Sequence, residues 1–139
     1  MVAFVNRTNG LVVCGGSLVA KDIVLTAAHC AASIEDANAV IGRHDLSMFD
    51  GEEIEVDQVV VHPEYNATAA FAANDYALAM LSQPTSLVTE FAQLNSNAFL
   101  PATGDVARVM GWGDVWQDSE IIALPEELME TDLSIISKN

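Results

Sequence analysis

The apolar residues of this chain come in short runs, and their shortness decides what it can fold into. Leu11–Cys14, Ser17–Ala20, Ile23–Thr26, Ala39–Gly42, Tyr76–Leu81 and Val106–Met110 each end at glycine or at a polar turn. An amphipathic helix needs apolar residues at i, i+3 and i+4 over about 10–12 positions, and none of these runs is that long. They read as antiparallel strands. Ile54–Val61 alternates in part and stops at His62-Pro63, where proline excludes helical backbone from the residue before it. Leu128–Ile136 alternates imperfectly, and Ala27–Ser33 is rich enough in alanine for one helical turn. Gly15-Gly16 reads as a break between two strands, Tyr76–Leu81 as a buried strand, residues 64–74 as a surface loop and residues 85–102 as a connector. The chain is expected to be all-β, with a lone hairpin after the connector.

Composition narrows the class further. Hydrophobic residues make up 51% of the 139 positions, and 20 Asp and Glu against 5 Lys and Arg leave a net charge of −15. The hydrophobic fraction excludes intrinsic disorder. The scattered cations, Arg7, Lys21, Arg43, Arg108 and Lys138, form no patch, so no nucleic acid or anionic membrane partner is expected. The apolar stretch Leu11–Ala20 meets Lys21 and Asp22 well short of the roughly 20 residues a membrane helix needs. The first residues carry no cationic segment ahead of an apolar block, as a secretory signal would. Cys14 and Cys30 are an even pair, open to a disulfide in an oxidising compartment or to free thiols in a reducing one. Asn6-Arg7-Thr8 and Asn66-Ala67-Thr68 are acceptor sequons, so Asn6 and Asn66 are glycosylation candidates.

Three strings carry chemistry: Cys14-Gly-Gly-Ser-Leu-Val19, Leu25-Thr-Ala-Ala-His-Cys30 and Asn74-Asp-Tyr-Ala-Leu-Ala-Met-Leu81. Their order, spacing and flanks resemble the N-terminal half of the chymotrypsin/trypsin-like serine proteases. Gly111-Trp-Gly113 and Leu124-Pro125 fall where that family's second barrel begins. The resemblance implies a six-stranded antiparallel barrel followed by the first hairpin of an incomplete second barrel. Residues 1–95 would form the first and residues 96–139 the connector and hairpin. It also implies that Cys14 and Cys30 are joined.

A serine hydroxyl is a poor nucleophile until an imidazole takes its proton. The imidazole in turn needs a carboxylate on its Nδ1–H, to fix the tautomer and to stabilise the charge it gains. The resemblance assigns His29 as the base and Asp75 as that carboxylate; on local grounds alone Asp75 is also a turn or cap residue. His44 and His62 read as surface residues, and the three histidines have no metal-ligand spacing. Some members of the family hold calcium in the loop matching residues 42–53. Asp50 and Glu53 suit it, but Arg43 stands where an acidic ligand is needed and can pair with Glu53 instead. No metal or cofactor is expected.

The family's nucleophile lies in Gly-Asp-Ser-Gly-Gly, and none of the serines here, at 17, 33, 47, 82, 86, 96, 119, 134 and 137, sits in that string. A His–Asp pair alone cannot form an acyl-enzyme. The sequence therefore reads as the N-terminal part of a secreted endopeptidase, inactive by itself, whose partners are polypeptide substrates or protein inhibitors. The alternative is a non-catalytic homologue acting as a secreted binding or inhibitory module, for which the −15 charge supplies an acidic face.

Overall fold

Residues 1–68, 73–115 and 124–136 are described by the structure, a computed structural model. Residues 69–72 of the expected loop, and the serines at 119 and 137, lie outside the described residues. The described chain forms two compact units, the first made of residues 1–43 and 48–92 and the second of residues 44–47 and 93–139.

The first unit is a closed antiparallel barrel. Its strands are β1 (Val2–Asn6), β2 (Val12–Ala20), β3 (Ile23–Thr26), β4 (Ala37–Ile41), β5 (Glu52–Val61) and β6 (Ala77–Leu81), and they close in the order β1-β2-β3-β6-β5-β4. Between β3 and β4 the alanine-rich stretch makes a 3₁₀ turn, Ala28–Cys30, and one turn of helix, α1 (Ala31–Ile34). The barrel is filled by Val2 and Phe4 from β1, Leu18 from β2, Val24 from β3, Ala39 and Ile41 from β4, and Ile54 and Val56 from β5. Ala79 and Leu81 from β6, with Ile34 below them, complete it. On β5 the pleat turns Ile54 and Val56 inward and Glu53, Glu55 and Asp57 out to solvent, so one strand supplies both core and negative charge.

Two local expectations need correction. The glycines do not break β2, which runs unbroken through Gly15 and Gly16. A Cβ on Gly16 would lie 2.5 Å from Val24 Cγ1 and 2.9 Å from the Leu25 carbonyl oxygen, so glycine lets β3 and Phe4 pack against the strand. β6 is only half-buried: Ala77, Ala79 and Leu81 face the core while Leu78 and Met80 are exposed. A run apolar on both faces conceals that alternation. β1 was not anticipated at all, because five residues beside a polar turn give no periodicity to read.

Glu52 fastens the start of β5 to the segment after β6. Its carboxylate accepts hydrogen bonds from the Thr85 and Ser86 hydroxyls and from the Ser86 N–H. The Ser86 hydroxyl first, then that of Thr85, holds the carboxyl below its ordinary value of 4.5. The unfolded chain therefore takes up this proton at higher pH than the native one. The stabilisation is present above 4.5 and lost as the pH falls through the lower native value. Urea midpoints of Glu52→Gln and the parent chain should differ most above pH 4.5 and converge as the pH falls below it. A gap independent of pH would show that the carboxylate charge is not what matters.

In the second unit β7 (Val106–Gly111) pairs antiparallel with β8 (Met129–Ser134), Val109 opposite Thr131. Trp112 is buried, and its indole Nε1–H donates to the His44 carbonyl at 3.2 Å. Val106, Val109, Met110, Met129, Leu133 and Ile136 are exposed, as expected of a two-stranded sheet with no second layer among the described residues. The architecture is all-β, a six-stranded barrel with a separate hairpin.

Candidate active site

β3 delivers the first residue of the site. The strand ends at Thr26, whose buried hydroxyl donates to the Gly15 carbonyl of β2 at 2.8 Å. Ala27 is still extended, and the chain then tightens into the 3₁₀ turn. Ala28 and Cys30 point inward, which leaves His29 between them facing out. Cys30 is disulfide-bonded to Cys14 on β2, with Cα atoms 6.2 Å apart, so the turn is tied covalently to a central strand. Of the two states left open by the cysteine count, the structure has the bridge, and no described cysteine is free.

The second residue arrives just before β6. Asn74 has φ 56°, in the left-handed region that asparagine tolerates better than most residues. Its side-chain amide donates to the Glu64 carbonyl at 3.1 Å, and its own carbonyl accepts the Tyr76 N–H at 2.8 Å. The tight turn so formed has Asp75 at its apex. In the sequence Asn74 stood only as the first residue of the string that carries Asp75, with no role of its own; its signal was a left-handed-tolerant residue directly ahead of the carboxylate.

The two residues meet. His29 Nδ1–H donates to Asp75 Oδ2 at 2.7 Å, and the His29 backbone N–H donates to Asp75 Oδ1 at 2.9 Å. Both carboxylate oxygens thus accept from His29, which fixes the ring in position and leaves Nε2 as the acceptor. The imidazole hydrogen bond first, then that backbone N–H, holds the Asp75 carboxyl below its ordinary value of 3.8. The side chains are unequally covered, 63% exposed for His29 and 24% for Asp75. Asp75 is thus only partly shielded from water. Such a pair can accept a proton at Nε2 from a hydroxyl brought against it, with the carboxylate stabilising the resulting cation.

At the two places whose residues resemble a metal site, the donors are already engaged. The ligand atoms of Cys14, His29 and Cys30 lie within 4.8 Å of one another, but both sulfurs are consumed by the disulfide and neither is a thiolate. In the loop after β4, Arg43 is nearly buried, its side chain 7% exposed. It donates to Glu53 Oε1 at 3.0 Å and to the Asp50 carbonyl at 2.7 Å. A guanidinium thus occupies two of the groups a calcium ion would need, and the family's calcium does not suit these residues. Titration calorimetry should detect no tight calcium binding. Arg43→Glu, which restores a third carboxylate, should introduce it, and tight binding by the parent chain would contradict the pairing.

A family model described as trypsin matches residues 1–139. Chymotrypsin-like elastase family member 1 of Rattus norvegicus is 32% identical over 132 residues, covering 91% of this chain and 50% of its own length. Proproteinase E of Bos taurus is 32% identical over 133 residues, covering 88% and 50%. Chymotrypsin-like elastase family member 3B of Homo sapiens is 34% identical over 133 residues, covering 88% and 47%. The chain spans about half the length of these relatives. Among solved structures, neuropsin, a serine protease expressed in the limbic system of mouse brain, superposes with a TM-score of 0.83 at 29% identity. The match covers 98% of this chain and 59% of neuropsin.

Proposed function

This chain belongs to the trypsin family, and on that premise we propose that it is the base-and-carboxylate half of a secreted serine endopeptidase. His29 is the general base and Asp75 the carboxylate that orients it. The observation that carries the reading is the pair of bonds from one histidine to both oxygens of one aspartate. A merely structural turn needs the backbone bond to the carboxylate; it does not need the imidazole held to it as well. The substrates are polypeptides. Peptide-bond hydrolysis proceeds by attack of a serine hydroxyl whose proton passes to His29 Nε2, then from His29 to the leaving amine.

That serine is not among those of this sequence, since none lies in Gly-Asp-Ser-Gly-Gly. The 139 residues by themselves are therefore inactive, and a fluorophosphonate probe, which labels activated serines, should leave them unmodified. Stoichiometric labelling would overturn this. The wider reading is tested by reading the coding sequence beyond Asn139 and assaying the full-length product. An in-frame Gly-Asp-Ser-Gly-Gly with peptide hydrolysis supports the enzyme. A stop codon there in independent transcripts favours the binding module, for which the −15 charge speaks. An extracellular location accords with the disulfide, and no described helix is long and apolar enough to cross a membrane.

A further inference from the structure

The two acceptor sequons have the same chemistry in sequence and different surroundings in the fold. Asn6 ends β1, is partly buried, and pairs in register with Ala37 of β4. Its backbone N–H donates to the Leu11 carbonyl at 2.9 Å and its carbonyl accepts the Gly10 N–H at 2.9 Å, closing the β1–β2 turn. Its side-chain Oδ1 accepts the N–H groups of Thr8 and Asn9. The Thr8 hydroxyl makes no bond to it, so the two side chains of that sequon are not held together. The next residue, Arg7, is drawn across the barrel wall to Glu55 at 3.0 Å and Asp36 at 3.5 Å.

Asn66 is the opposite case. Asn66, Ala67 and Thr68 are all exposed and belong to no strand of the barrel. Asn66 Oδ1 accepts both the Thr68 N–H at 3.0 Å and the Thr68 hydroxyl at 2.8 Å. The asparagine and threonine side chains are thereby gathered on one side of a turn, where a transferase that must read both would find them. Asn66 Nδ2 makes no hydrogen bond among the described residues. We propose that Asn66 is the N-glycan acceptor of this chain and that Asn6 is not used. The backbone of Asn66 bridges to Ala73, two residues before Asp75, so the glycan stands on the loop whose far end carries the proposed catalytic carboxylate.

The co-reactant is an oligosaccharide linked to a lipid through pyrophosphate. A bond forms between Asn66 Nδ2 and the anomeric carbon of the sugar, and the bond from that carbon to the pyrophosphate oxygen breaks. Nδ2 loses one proton and the lipid pyrophosphate leaves with the electron pair; nothing is oxidised or reduced.

The proposal rests on the extracellular reading, and its test is built to separate the two. The full chain is translated with microsomes behind a secretory leader that forces entry, and carries an added acceptor sequon at its C-terminus that reports entry. Glycans are counted by gel shift before and after peptide N-glycosidase. The expected counts are two for the parent chain, two for Asn6→Gln, and one for Asn66→Gln. Thr68→Ala, which leaves Asn66 in place, should also give one. A parent chain with only the reporter glycan, or with three, overturns the proposal, as does Asn66→Gln retaining two. None of these counts depends on where the natural precursor goes, which fractionation of its source cells decides separately.

Discussion

Asp75→Asn is expected to lower kcat for peptide hydrolysis about 10⁴-fold in a full-length peptidase carrying these residues, with little change in KM. At about 1.36 kcal/mol per decade this is about 5.5 kcal/mol of lost transition-state stabilisation. The reason lies in the two bonds to the carboxylate. An asparagine can keep its carbonyl on the His29 backbone N–H, where Asp75 Oδ1 now sits at 2.9 Å. Its amide then faces His29 Nδ1 at the position of Oδ2, now 2.7 Å away. Two donors cannot face each other, so Nδ1 becomes the acceptor and the ring proton moves to Nε2. The nitrogen that must take the serine's proton is then already protonated. The barrel should be unaffected, which circular dichroism would check. A kcat reduced less than tenfold would mean that Asp75 does not orient the base. A matching rise in KM would mean that it binds substrate instead.

Removing the disulfide, by Cys14→Ala together with Cys30→Ala, should cost the barrel about 3 kcal/mol. The bridge closes a loop with a sequence separation of 16, and cross-links of that span restrict the unfolded chain by about this amount. For a unit of this size about 4–8 °C is lost per kcal/mol, so the melting temperature should fall by about 12–24 °C. Reduction of the parent chain by dithiothreitol should give the same shift. A melting temperature unchanged by both treatments would show that β2, β3 and the 3₁₀ turn hold together without it. Because Cys30 directly follows His29, the same variant should widen the spread of His29 ring orientations, read as broadening of its imidazole NMR signals.

Much of the local structure could be read from residue order. Ile23–Thr26, residues 54–61 and Val106–Met110 lie within β3, β5 and β7, because β-branched runs bounded by turns have few other uses. The errors have one cause. Gly15-Gly16 looks like punctuation unless Val24 and Leu25 are known to press against it, and they are neighbours only through strand pairing. Leu78 and Met80 look like core residues unless the face of β6 that meets the barrel interior is known. The site behaved in the same way. The strings around His29 and Asp75 carried the resemblance that assigns them, whereas the left-handed backbone of Asn74 directly ahead of Asp75 was not legible in its string.

Residue order by itself determined the all-β class, the family resemblance, the acidic balance and the absence of a Gly-Asp-Ser-Gly-Gly string. These are properties of runs and words a few residues long, and local backbone preference is enough to express them. Tertiary structure alone decided that β1 closes the barrel between β2 and β4, that Arg43 also donates to the Asp50 carbonyl, and that an imidazole and a carboxylate 46 positions apart share two hydrogen bonds. Each of those depends on contacts between distant segments. Their geometry exists only once the whole barrel has buried its core and the entropy of bringing those segments together has been offset.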